Sequence, residues 1–225
     1  MFVFSKKMKT LICRIQNDTG EKRQALYEGI AKYLTIKRRY DNNEILRQRG
    51  VGKPEFQTAF NALYSLQGQV NRQNLWKLIA KRVVREPLEQ AFYDAVISIS
   101  INKQQRNGRS SPTVQLSFAT KAFHTVRNEL PIYDDIVGEQ FFGLAVKGTS
   151  YEERLASAVD CYMTLCGYYE ERYKNGLQKL VAVYDKLVKQ SDVIQYEDHV
   201  FSQSEALTLV SDVKKIDFVI WSFWV

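Results

Sequence analysis

A primary amine and a carboxylate held near one another can do covalent chemistry at an electrophilic carbon, and the stretch Thr113 to Val137 carries both. Lys121 lies in an apolar-spaced segment, and the acidic pair Asp134-Asp135 follows after a turn. A neutral lysine amine is a nucleophile that forms Schiff bases, and a neighbouring carboxylate can stabilise developing positive charge or orient an attacking group. Ser117, Lys121 and His124 are related by steps of four and three, which sets them on one helix face where polar groups could meet a ligand. The ordinary reading of the same residues is structural. Lysines on helix faces are mostly solvated, and an Asp at a helix start is mostly an N-cap accepting backbone N–H bonds.

The elements that must position these groups follow from apolar spacing. From Val114 to Val126, the residues Val114, Leu116, Phe118, Ala119, Ala122, Phe123 and Val126 recur mostly at three- and four-residue steps, a helix with one buried stripe from which Lys121 is offset. Asn128-Glu129 ends it, Pro131 pushes Leu130 toward extended geometry, and a second helix can begin at the acidic pair.

The Thr120-Lys121 step, the apolar-proline link and the segment Ile132-Tyr133-Asp134-Asp135-Ile136-Val137 together resemble the helix-hairpin-helix DNA glycosylase superfamily, above all its 8-oxoguanine glycosylase branch. The Ser117-Phe118-Ala119-Thr120-Lys121 run followed by Pro131-Ile132-Tyr133-Asp134 is also similar to a group of small bacterial proteins of that fold. The resemblance implies an all-α, two-lobed helical bundle over residues 1–225, one domain with its lobes packed around a cleft near 113–137. It places Lys121 on the family's nucleophile and Asp134 on its partner aspartate, with Asp135 one place later and His124 secondary, the latter as a proton carrier. It implies a DNA glycosylase that flips a damaged or modified base out of double-stranded DNA and cleaves its N-glycosidic bond, with no metal or nucleotide cofactor. Damaged purines are implied by the closest branch, and a modified base in foreign DNA fits a divergent bacterial member equally well, so repair and anti-phage defence both stand. Two departures accompany the match. The glycine hairpin that usually precedes the lysine reads Gln115-Leu116-Ser117-Phe118-Ala119, and the step from Lys121 to Asp134 is 134 − 121 = 13 residues, about five fewer than a full helix and loop at ~1.5 Å per helical residue.

Composition sets the frame. A chain of 225 residues, 45% hydrophobic and 12% aromatic, can bury a sizeable core. Lys+Arg 32 against Asp+Glu 25 gives +7, a bias toward polyanions. Arg49 and Lys53 flank Gly50-Val51-Gly52, a turn whose amides can hold phosphate; Lys103, Arg106 and Arg109 populate the loop Asn102 to Pro112 just before the lysine helix. These five are the expected DNA-backbone contacts, where guanidinium and ammonium groups meet phosphates. Cys13, Cys161 and Cys166 lack metal or disulfide spacing and read as buried thiols in a reducing cytoplasm. No apolar run reaches the ~18 residues of a membrane span, so a cytoplasmic protein with no membrane association and no obligate protein partner is expected.

The remaining chain reads as helices. Met1 to Ile15 is either a short extended start or a first helix. An amphipathic helix follows Asp18-Thr19-Gly20-Glu21, and further helices cover Pro54 to Leu66, Arg72 to Val84 and Pro87 to Ile101, with Pro54 and Pro87 at first-turn positions. A long helix runs from Tyr151 to Tyr173, another from Gly176 to Lys189, and one or two from Ser202 to Trp224, whose apolar close from Ile216 should dock into the core. His199 reads as structural. Two other classes fit the same residues: a noncatalytic DNA-binding or phage-defence protein on the same fold, favoured by the absent glycines and short spacing, and a helical protein-interaction domain in which Lys121 and Asp134 form only a salt bridge or cap.

Overall fold

The apolar C-terminal segment must leave water, and it becomes the helix against which much of the molecule packs. A computed structural model describes residues 2–41, 54–64, 71–81, 87–104 and 110–224. In chain order the described helices are α1 (Phe2–Gln16), α2 (Glu21–Asp41), α3 (Pro54–Tyr64), α4 (Arg72–Lys81), α5 (Leu88–Ile99), α6 (Leu116–Val126), a π-helical segment (Asp135–Phe141), α7 (Tyr151–Glu170), α8 (Gln178–Lys189), α9 (Gln203–Leu209) and α10 (Asp212–Trp224). The fold is mainly α. In α10 the residues Ile216, Phe218, Val219, Ile220 and Phe223 are buried, each such side chain worth roughly 1.5–3 kcal/mol of transfer free energy. That helix packs on α8, α2, α1 and the π-helical segment. The buried side chains of the described helices join one continuous apolar cluster.

Local chemistry accounts for most helix starts. Ser150 and Ser202 each close a capping box, with Glu153 and Glu205 reaching back to the cap backbone. Pro87 stands at the N-cap of α5, one place before the first helical turn. The N-terminal segment, open between two readings, is helical through Gln16, and the last segment is two helices broken at Val210, whose backbone is extended. Expected helix ends beyond Tyr64 and Lys81 lie outside the described residues.

Two expectations are corrected, and one element had no expectation. The segment Asn102 to Pro112 is not loop throughout: its ends pair as antiparallel strands β1 (Asn102–Gln104) and β2 (Ser110–Pro112). Ile101 accepts the backbone N–H of Thr113, so the ladder's hydrogen bonding carries on to the threshold of α6. A second hairpin, β3 (Ile194–Tyr196) with β4 (His199–Phe201), turns through Glu197 at φ 51 and lies against α2. Polar turn residues outweighed the alternation over such short runs, which is why neither hairpin is evident from pattern. Cys13 is exposed, whereas Cys161 and Cys166 are buried; all three are free thiols. Cys13 sits on a terminal helix that covers the core with only one side.

The π-helical segment is the element that sets Asp134. Its first turn is capped by that residue, and Phe142 N–H bonds the Val137 carbonyl five residues back at 3.0 Å. Gly138 makes this turn possible, because a Cβ there would fall 2.2 Å from the Tyr133 ring. The ring cannot yield cheaply: Tyr133 is buried and its hydroxyl donates to the Leu144 carbonyl. Gly138→Ala is therefore expected to lower stability by about 1–3 kcal/mol through overpacking, read as a reduced urea midpoint with unchanged slope; a variant as stable as the parent would show that the turn has room to give.

Candidate active site

Lys121 and Asp134 are joined through their neighbours in sequence. The Thr120 hydroxyl accepts the Tyr133 backbone N–H at 3.1 Å and lies 3.2 Å from the Tyr133 carbonyl and 2.9 Å from the Ser117 carbonyl, either of which it can donate to. A single buried side chain thus clips α6 to the link that carries the aspartate, since Thr120 precedes Lys121 and Tyr133 precedes Asp134. Lys121 is the sixth residue of α6, with five helical residues after it, so the short 13-residue step (134 − 121) reflects a lysine well inside a short helix.

Both side chains face a cleft of about 580 Å³, within the range of ligand pockets. Ser117 and Lys121 line it from α6, Asp134 and Asp135 from the start of the π-helical segment, and Tyr64 from the end of α3. The opposite wall is α10, which contributes Lys214, Asp217, Phe218 and Trp221, residues at steps of three, one and three on one helix face. Trp221 remains 44% exposed although it lines the cleft.

The electrostatics of the cleft follow from taking charges out of water. Lys121 is 9% exposed; its Nζ lies 3.5 Å from the Tyr64 carbonyl oxygen and 5.4 and 5.0 Å from the Tyr64 and Phe118 ring centres. Burial lowers its pKa to about 8, with the Asp134 carboxylate opposing that shift and the Lys214 cation adding to it. A substantial fraction of the amine is then neutral near physiological pH. Asp134 is pushed above the usual carboxylate range by burial, against the pull of the Val137 N–H and of the Lys121 and Lys214 cations. Its Oδ1 accepts the Val137 N–H at 2.7 Å, so it is also the N-cap of its segment.

His124 is placed behind the cleft. It is 1% exposed, its Nδ1–H donates to the Leu130 carbonyl at 2.6 Å, and its ring lies 5.8 Å from that of Tyr33. Burial lowers its pKa to about 3, with Lys214 contributing, so the imidazole is neutral and its buried Nε2 has no hydrogen-bond partner among the described residues. The shared face of Ser117, Lys121 and His124 therefore opens to the cleft only at its first two residues, because α6 is packed on both sides. Arg49, Lys53, Arg106 and Arg109 lie outside the described residues; Lys103 lies on β1.

Lys214 and Asp217 are the residues that pattern reading passed over. Asp217 is 2% exposed and accepts the Tyr169 hydroxyl at Oδ1 and the Ile132 N–H, at 3.3 Å, at Oδ2. Burial raises its pKa to about 7, opposed by Lys214 and by the Tyr169 hydroxyl. The signal was a Lys–Asp pair three residues apart where the apolar close of the chain begins, with Asp217 inside it, where the cost of burying charge demands a reason.

No family model, curated protein or solved structure matches the chain. The site has to be read from its own chemistry. Among the described residues no cluster of three or more His, Cys, Asp or Glu side chains is arranged to hold a metal ion, and no helix is long and apolar enough to cross a membrane.

Two outcomes test the electrostatics. Because the Asp134 carboxylate favours the charged amine, Asp134→Asn is expected to lower the pH midpoint for modification of Lys121 by an amine-reactive reagent, followed by mass spectrometry from about pH 6 to about pH 10; an unchanged or higher midpoint would mean that the two groups do not interact. Asp217 holds its proton up to about 7 when folded, against 3.8 for an ordinary aspartate. The folded state then binds more protons across that interval, and its stability falls as pH rises from 3.8 to 7. Urea unfolding of Asp217→Asn should lack this decline, and an equally steep decline in the variant would assign it to other groups.

Proposed function

We propose that the protein is a DNA glycosylase in which Lys121 is the nucleophile and Asp134 the carboxylate that supports it. The observation that carries this reading is a buried lysine whose amine is neutral in good part near pH 8, on the wall of a base-sized cleft whose aspartate is held through the adjoining Thr120–Tyr133 contact. A nucleotide flipped into the cleft would present its sugar C1′ to the Lys121 Nζ. As the C1′–N bond to the base lengthens, C1′ gains oxocarbenium character and Asp134 stabilises that charge with the oxygen not used in the cap. The base leaves with the C1′–N electron pair and takes up a proton; Nζ bonds C1′ and loses a proton, and its remaining lone pair then expels the ring oxygen O4′, which takes up a proton as the C1′–O4′ bond breaks, so that the opened sugar is held as a protonated Schiff base. Asp135, exposed at the rim, is secondary. His124, neutral and walled off, is left to orient the Leu130 link in place of carrying protons.

The substrate on this reading is double-stranded DNA with a damaged or modified base. The net charge of +7 and the basic residues Arg49, Lys53, Lys103, Arg106 and Arg109 supply the salt-dependent part of its binding. The cap bond to Asp134 favours a second reading, a noncatalytic DNA-binding protein on the same architecture, in which that aspartate only starts its helical segment.

Borohydride trapping separates the two. With a panel of duplexes carrying damaged, modified and abasic sites, the wild type is expected to form a covalent adduct, Lys121→Gln to form none, and Asp134→Asn to form it at least about a hundredfold more slowly, the usual scale for losing one preorganised charge-stabilising group. Salt-sensitive binding with no adduct and no released base on any duplex would overturn the catalytic reading in favour of the binding one.

A further inference from the structure

Two adjacent lysines on α10 meet opposite fates. Lys215 turns toward α8, where its Nζ is paired with Asp185 at 2.8 Å. Lys214 turns into the cleft, is 6% exposed, and its Nζ has neither a hydrogen-bond acceptor nor an ion-pair partner among the described residues. Aromatic faces surround it instead: the nitrogen lies 4.6 Å from the Phe218 ring centre, 5.6 Å from that of Tyr64 and 5.7 Å from that of Tyr33. Rings compensate an ammonium for part of its lost hydration, but they accept none of its three N–H bonds. A donor that lines the cleft and has no acceptor among the described residues is free to bond a ligand that supplies one.

The surroundings decide which acceptor fits. The carboxyl groups of Asp134, Asp135 and Asp217 line the same cleft as the two amines of Lys121 and Lys214. A phosphate dianion would be driven against those carboxylates, whereas a neutral carbonyl oxygen meets the donor without that repulsion. The aromatic walls, with Trp221 partly exposed among the lining residues, suit a flat ring.

We propose that Lys214 is a specificity-determining residue that donates to the exocyclic carbonyl oxygen of a flat, neutral, oxo-substituted heterocycle bound in the cleft. The assignment rests on reading the cleft as a base pocket. It distinguishes Lys121, which meets the sugar, from Lys214, which meets the base.

The test uses free bases and needs no turnover. Hypoxanthine and purine share both rings and differ at the carbonyl and its adjoining N–H. Titrated into the wild type and followed by ligand-observed NMR, hypoxanthine is expected to bind at least about tenfold more tightly than purine, the scale of one hydrogen bond to a charged donor. Lys121→Gln should keep that preference and Lys214→Met should lose it. Equal binding of the two bases by the wild type, binding of neither, or displacement of hypoxanthine by inorganic phosphate in the low-millimolar range overturns the proposal, and the first comparison holds even if Lys214→Met does not fold. A preference retained in Lys214→Met overturns it as well. A protein that shows the Lys214-dependent preference yet gives no borohydride adduct retains this assignment and loses the catalytic one.

Discussion

The buried carboxyl of Asp217 holds the walls of the cleft together. It accepts the Tyr169 hydroxyl from α7 and the Ile132 N–H from the link, while its own helix, α10, carries Lys214 on the preceding turn. Three segments distant in sequence are thereby referred to one side chain. A carboxylate in that position is expensive, and only the hydrogen bonds and the nearby ammonium make it tolerable.

The rest of the site is built outward from that node. Ile132, tied to Asp217, is followed by Tyr133, tied to Thr120, and then by Asp134, which caps the π-helical segment. The Thr120–Tyr133 bond fixes the backbone next to Lys121 and Asp134 and leaves both of those side chains on the cleft wall. Such support from adjacent residues places reacting groups more reliably than direct contact between them, because the support is unaffected when the groups change charge. Gly138 and the Tyr133 ring then complete the turn by close packing.

Part of the candidate site was legible in the residues themselves. Lys121 and Asp134 both line one cleft, and Asp134 is also the N-cap that an Asp before a helix ordinarily is. His124 shows the limit of helical-wheel reasoning. It shares a face with Lys121, but a short helix enclosed on both sides has no solvent face, and the imidazole is pressed against Leu130 and Tyr33. Asp217 was concealed by the apolar run that contains it, since hydropathy averages over the very residue whose burial is costly, and Lys214 by its charged neighbours Asp212 and Lys215. The short hairpins escaped notice because three-residue strands have too little alternation to outweigh polar turn residues.

By itself the sequence determined the mainly helical class, because periodicity near 3.6 and the Ser–Glu capping pairs act within one or two turns and need no distant partner. It also determined that the apolar C-terminal segment would be buried, since no other disposition removes so much hydrocarbon from water. Packing alone decided which face of α10 meets the link and lines the cleft, and therefore that Lys214 rather than Lys215 enters the cleft while its neighbour pairs with Asp185. Packing also lowered the pKa of Lys121, because desolvation depends on what surrounds the amine in space and leaves no mark on the residues adjacent to it in the chain.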